Sequence, residues 1–174
     1  MDEIEVPTEH LHEAIHEQVH HASSGKEQKW SLVVAISTAL MAVLAAISSL
    51  FAGHHSNEAV INQIKASDQW AFYQAKGIKA EIKAIKIGAV AIDTAEYNRY
   101  KKEQATIKET AEELQNESKS HLEIEKKFAK AVTFFQIAIA ISAISILTKR
   151  RFLWVISLFL GISGIVFLLQ GIWV

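Results

Sequence analysis

Three stretches of the chain contain no charged side chain: Ser31–Gly53, Ala131–Thr148 and Phe152–Val174. Each has close to the roughly 20 residues that carry a helix across bilayer hydrocarbon. Helices of a soluble core are apolar on one stripe, whereas these runs are apolar on every face. The pattern predicts an all-α integral membrane protein with three transmembrane helices, over 30–53, 131–148 and 152–174. Residues 1–29 form an acidic, His-rich tail with a short amphipathic helix. The first apolar run follows that acidic tail and ends without a small-residue cleavage site, so it reads as a retained anchor rather than a secretion signal.

Residues 54–130 are polar overall, carry no proline and contain only Gly77 and Gly88. Apolar or small residues recur there at alternating steps of three and four. The row is Ile61, Ile64, Ala71, Ala75, Ile78, Ile82, Ile85 and Ala89, with Asp68 interrupting it. The rhythm returns in Tyr97, Tyr100, Ile107, Ala111 and Leu114, then weakens through Ser118, His121 and Glu125. A 3.5-residue period is a coiled-coil seam. Asp93-Thr-Ala-Glu96 offers a capping box for the second helix, which puts the turn near 88–92. The expected object is a long extramembrane antiparallel helical hairpin, coiled-coil-like, continuous with the spans on either side. Equal arms set Ile61 opposite His121 and His55 opposite Lys126.

Trp70, Phe72 and Tyr73 occupy more than one side of the first arm, while a two-helix contact buries a single stripe. Small residues also recur four apart in the spans, as in Ala138/Ser142 and Ser157/Gly161/Gly164, a spacing that lets helices approach closely in lipid. Packing within one subunit accounts for the small residues equally well. Together with the aromatic residues they favour a homo-oligomer.

The run LFAGHHSNEAVINQIKASDQWAFYQAKGIK (50–79), with FQIAIAISAISILTKRR (135–151) and the leading VPTEHLHE, resembles a family of bacterial inner-membrane proteins described as a domain of unknown function. The resemblance implies a bacterial membrane protein and transfers no activity, cofactor or catalytic residue.

Charge sets the expected orientation. The basic turn 149–151, Lys149-Arg150-Arg151, belongs on the cytoplasmic side, as do Lys26 and Lys29 before the first span. This places the amino terminus inside and the hairpin outside. Lys126, Lys127 and Lys130 argue the other way, with Glu123 and Glu125 among them. The absence of cysteine excludes disulfides, thiolate metal sites and cysteine nucleophiles.

Residues 12–21, HEAIHEQVHH, contain two overlapping H-E-x-x-H patterns. Zinc proteases use that spacing, but they also need a third ligand and a folded cleft, which a 29-residue tail does not supply. A four-residue repeat produces the pattern by itself, in an amphipathic helix whose apolar stripe rests on lipid. His12, His16 and His20 remain candidate ligands for Zn²⁺ or Ni²⁺, or a group that charges as pH falls. A second candidate cluster lies at the membrane exit, where His55, Glu58, His121 and Glu125 can share a face. Interfacial hydration is the plainer reading of the same residues. Lys76, Lys79, Lys83, Lys86, Arg99, Lys101 and Lys102 make the hairpin tip basic, a surface for an anionic partner or a solvated face with internal ion pairs. No nucleic-acid motif accompanies them.

No ionisable residue lies in the spans, which argues against charge-coupled transport. Gln136 and Gln170 are candidate pore-lining residues or interhelical hydrogen-bond partners. The leading functional reading is a non-enzymatic scaffold or interaction protein whose partners are the bilayer and its own copies. The alternative is an oligomeric channel or a metal- or pH-responsive membrane protein.

Overall fold

A computed structural model of the protein describes residues 25–87 and 94–173. They form three helices: α1 (Gly25–Ile87), α2 (Thr94–Thr148) and α3 (Arg151–Ile172). No described residue is in a strand. Each of the three is long and apolar enough to cross a membrane. The expected turn near 88–92 and Asp93 of the capping box lie outside the described residues, as does the tail with His12, His16 and His20. The chain divides into two compact units, one built from residues up to 53 and from 124 onward, the other from residues 54–123.

In the first unit, α3 packs against the apolar segments of α1 and α2 around Met41, Ala45, Phe128, Ala131, Phe135, Ala138, Ile139 and Leu168. Small residues make room for the large ones. A Cβ on Gly164 would stand 2.9 Å from the Phe135 ring, one on Gly171 2.8 Å from the Phe128 ring, and one on Gly161 3.1 Å from Met41 Cε. Ser157, Gly161, Gly164, Leu168 and Gly171 form the buried stripe of α3. The small-residue spacing of this span therefore serves packing within the chain.

Several polar groups inside the unit are paired. Thr38 and Ser142 share a hydrogen bond of 2.6 Å between hydroxyls, and Trp154 Nε1 donates to Ser37 Oγ at 3.2 Å. The outside is the reverse of a soluble protein's: Leu32, Ile36, Leu40, Val43, Leu50, Phe152, Phe159 and Ile162 are all exposed. Small and hydroxyl side chains packed inside around a few large ones, with many large apolar side chains outside, is an arrangement suited to lipid as solvent.

The turn from α2 to α3 is tight. Arg150 N–H donates to Ser145 O and Lys149 N–H to Ile146 O, which closes the helix end as a Schellman motif. Lys149 takes the left-handed position at φ 53°, where glycine is usual. Ser145 Oγ donates to Arg150 O at 2.9 Å and pins the turn further.

In the second unit, α1 and α2 lie against each other, and residues further along α1 meet residues earlier in α2. Ser118 Oγ donates to the Ala59 carbonyl at 2.8 Å, Asn62 Nδ2 to Glu117 Oε2 at 3.3 Å, and Gln104 Nε2 to the Tyr73 carbonyl at 3.3 Å. The buried positions of α1 are small or polar: Ala59, Asn62, Ala66 and Ala80. A Cβ on Gly77 would approach Gln104 Nε2 to 2.7 Å, so this contact needs glycine or a shift of that side chain.

Two expectations are corrected here. The isoleucine row does not face α2: Ile61, Ile64, Ala71, Ala75, Ile78, Ile82 and Ile85 are all exposed. On α2 the expected face does turn inward, with Ala111 and Ser118 buried and Tyr97, Tyr100, Ile107, Leu114 and His121 half-buried. The register also differs by about one helical turn, since Ala59 rather than Ile61 approaches the Ser118–His121 segment. The physical reason is shared: alanine and glycine bring the backbones close enough for side chains of α2 to reach carbonyls of α1, which an isoleucine interface would hold apart.

Candidate functional site

Unit 54–123 holds the residues with the most chemistry, and its small-residue packing brings them together. Near the start of the unit, His55 Nδ1 and His121 Nδ1 lie 3.0 Å apart, their ring centroids separated by 5.3 Å. Such a bond needs complementary tautomers, one Nδ1 protonated and donating, the other bare and accepting. A second proton on the pair would set two donors and two positive charges face to face. Burial pushes the His55 imidazole below its ordinary range; the neighbouring His121 and His54 add to the shift, and Glu58 opposes it.

Of the residues expected at the membrane exit, His55 and His121 are in contact and Glu58 acts on His55 through its charge. Among the described residues, no group of three or more histidines and carboxylates is placed to hold a metal ion.

Further along α1, the basic residues are drawn into ion pairs with α2. Lys76 pairs with Glu103, Lys83 with Glu96, and Lys101 with Glu81 at 3.5 Å. Arg99 lies 3.6 Å from Glu103 and 3.8 Å from Glu96. The lysine hydrogen bonds, with the nearby cations, hold the Glu96 and Glu103 carboxyls below the usual carboxylate range. Lys76 and Arg99 also stand over the Tyr100 ring, 5.3 and 5.2 Å from its centre. An open groove of about 490 Å³ lies here, lined by Phe72, Ile107 and Thr106 with Lys76, Arg99, Lys102 and Glu103 at its edge.

The three aromatic residues divide between the two sides of α1. Trp70 and Tyr73 are half-buried and meet edge to face at 5.5 Å. Phe72 is 60% exposed and sits beside the isoleucine row, whose members Ile64, Ile78 and Ile85 are 57%, 62% and 76% exposed. The exposed face of α2 is polar by contrast, with Lys108, Glu109, Glu112, Glu113, Asn116 and Lys119. In the membrane-length segments, Gln136 and Gln170 both point outward from the first unit.

Sequence reasoning found the histidine neighbours and the basic groups and put Ser118 in the row of α2, but missed Asn62 and its small neighbours on α1, which fix the helix contact together with Ser118. Their signal was present: Ala59, Asn62, Ala66, Tyr73 and Ala80 also recur at steps of three, four or seven. The bulkier isoleucine row obscured it.

No curated protein and no solved structure matches the chain. Residues 30–174 match the family described as a domain of unknown function, DUF4337, so the three helices from Trp30 onward, the paired histidines and the exposed isoleucine row fall within the matched region, and the chain belongs to that family.

Proposed function

We propose that the protein is a non-enzymatic membrane scaffold that assembles with its own copies through residues 54–130 and its spans. One observation carries this reading: outside the membrane-length segments, α1 leaves a long apolar face exposed while its small residues pack on α2. Apolar area of that extent marks an interaction surface. The outward Gln136 and Gln170 add support, because a glutamine facing hydrocarbon gains from a hydrogen bond to a neighbouring helix.

In this reading the pairing of α1 with α2 is an antiparallel, coiled-coil-like hairpin that stands beyond the membrane. The basic turn at Lys149–Arg151 faces the cytoplasm together with the amino terminus, and the hairpin projects from the opposite side of a bacterial inner membrane. The groove beside Phe72, with three cations against one carboxylate, is where an anionic partner would dock. Nucleic acid is not among the expected partners.

Co-expression of two differently tagged copies tests assembly. Each tag should recover the other from detergent-solubilised membranes, and failure to do so contradicts the reading. Reconstituted liposomes separate scaffold from channel. The scaffold gives no ion flux above protein-free vesicles, whereas flux abolished by Gln136→Leu or Gln170→Leu would favour a pore.

The His55–His121 pair favours one second reading, a pH-responsive assembly, because protonation of both rings opposes their contact. Its signature is a change in assembly between pH 7 and 5 that a His55→Gln, His121→Gln double variant lacks.

A further inference from the structure

The exposed row on α1 has a period that asks for a partner helix. Ile61, Ile64, Asp68, Ala71, Ala75, Ile78, Ile82 and Ile85 fill both alternating core positions of a heptad repeat from residue 61 to 85. α2 does not take this row. It packs on the opposite side of α1, against Ala59, Asn62, Ala66 and Ala80. A repeat of 3.5 residues on a single solvated helix has no packing role of its own, and the outer face of α2 has no such row.

We propose that a second copy of this chain covers the row, the two α1 segments pairing side by side and parallel in register. This inference rests on the self-assembly reading and names its surface. The isoleucines, Val60 and Phe72 expose on the order of 500 Å² of apolar area, at the upper end of what a monomer ordinarily leaves open. That is a large share of the about 800 Å² each partner contributes to a stable interface.

Shared insertion in one membrane sets the direction, and the flanks agree with it. The row is flanked on one side by Lys65, Phe72 and Lys79, and on the other by Val60, Ser67, Gln74 and Glu81. In a parallel pair, each flank meets the opposite flank of the second copy: Lys65 falls beside Val60, Phe72 beside Ser67 and Lys79 beside Gln74. No like charges oppose one another among these flanks, and the lysine stems can lie over apolar surface. In an antiparallel pair each flank meets itself, which sets Lys65 against Lys79 twice. Copies inserted in one membrane with one topology also present α1 in the same direction. In register Asp68 faces its own copy, and the two carboxylates weaken the core at that one position.

The chain has no cysteine, so single cysteines report the contact directly. Ile64→Cys and Ile78→Cys, oxidised in native membranes, should convert most of the protein to a disulfide dimer. Gln63→Cys and Glu113→Cys, exposed but off the row, should form severalfold less. Adding Ile82→Asp to Ile64→Cys should abolish the dimer band while helix content by circular dichroism stays unchanged.

Equal cross-linking on and off the row, or a row cysteine joined only to a heavier protein, overturns the proposal. So does a mixed disulfide between co-expressed Ile64→Cys and Ile85→Cys chains that exceeds both like-with-like products, since that marks antiparallel pairing. The mass of the unmodified protein separates the two levels of the argument. An oligomer without row cross-links places the interface elsewhere and leaves self-assembly standing, whereas a monomer ends both.

Discussion

His55 and His121 show how a single contact fixes chemistry. Their Nδ1 atoms are 3.0 Å apart, and burial with neighbouring imidazoles lowers the His55 pKa. A lowered folded-state pKa means the unfolded chain binds the proton more readily. The stabilisation is therefore complete above the ordinary histidine range near about 6.5 and fades as pH falls below it. Thermal unfolding followed by circular dichroism should show stability dropping from pH 7 to 5, with a smaller drop in a His55→Gln, His121→Gln variant. An equal drop in both removes the pair as the cause. The lowered Glu96 and Glu103 carboxyls act in the same direction in a separate window, losing their contribution only once pH falls below the usual carboxylate range. Lys149 offers a different residue-scale test. Its left-handed backbone costs about 1 kcal/mol relative to glycine, so Lys149→Gly should stabilise the turn by about that amount. The same change removes one of three charges expected to hold the turn in the cytoplasm.

At the scale of the helix, α1 between residues 54 and 87 carries two rows with nearly the same period, and they face opposite ways. The small row, Ala59, Asn62, Ala66 and Ala80, packs in the chain; the isoleucine row does not. Leucine at Ala66 should strain the contact with α2 by about 1–3 kcal/mol. Ile82→Ala, on the exposed row, should leave unfolding of an isolated copy within about 0.5 kcal/mol. The reverse ranking, read from thermal or denaturant unfolding in detergent, would return the isoleucines to the intrachain contact. The three helices and their apolar segments were legible in the sequence because uninterrupted runs such as Phe152–Val174 admit few alternatives. The inward face of α2 was legible too, through Ile107, Ala111 and Leu114. The inward face of α1 was not, since volume was taken as the sign of burial where close backbone approach and the Ser118 and Asn62 hydrogen bonds decide. The approach of His55 to His121 was legible within a turn or two, while its direct contact needed the observed register.

For the molecule as a whole, the two units turn small residues inward by the same rule. In the first, glycine, alanine, serine and threonine turn inward around a few large residues such as Phe128 and Phe135, and many large apolar side chains turn outward. Gly164→Leu should collide with Phe135 and destabilise that unit by about 1–3 kcal/mol, measurable as earlier thermal loss of helix in detergent. In the second, α1 also turns small residues inward and isoleucines outward, and in the proposed reading these stand beyond the membrane, with no lipid to cover them. Self-association resolves that imbalance, and it is the claim on which the functional reading depends. The most direct measurement is the native mass of the protein released from membranes in a lipid nanodisc or mild detergent. The account predicts a discrete integer multiple of the 19.4 kDa chain, twofold or greater, that persists on dilution. A single 19.4 kDa species at every concentration would contradict it.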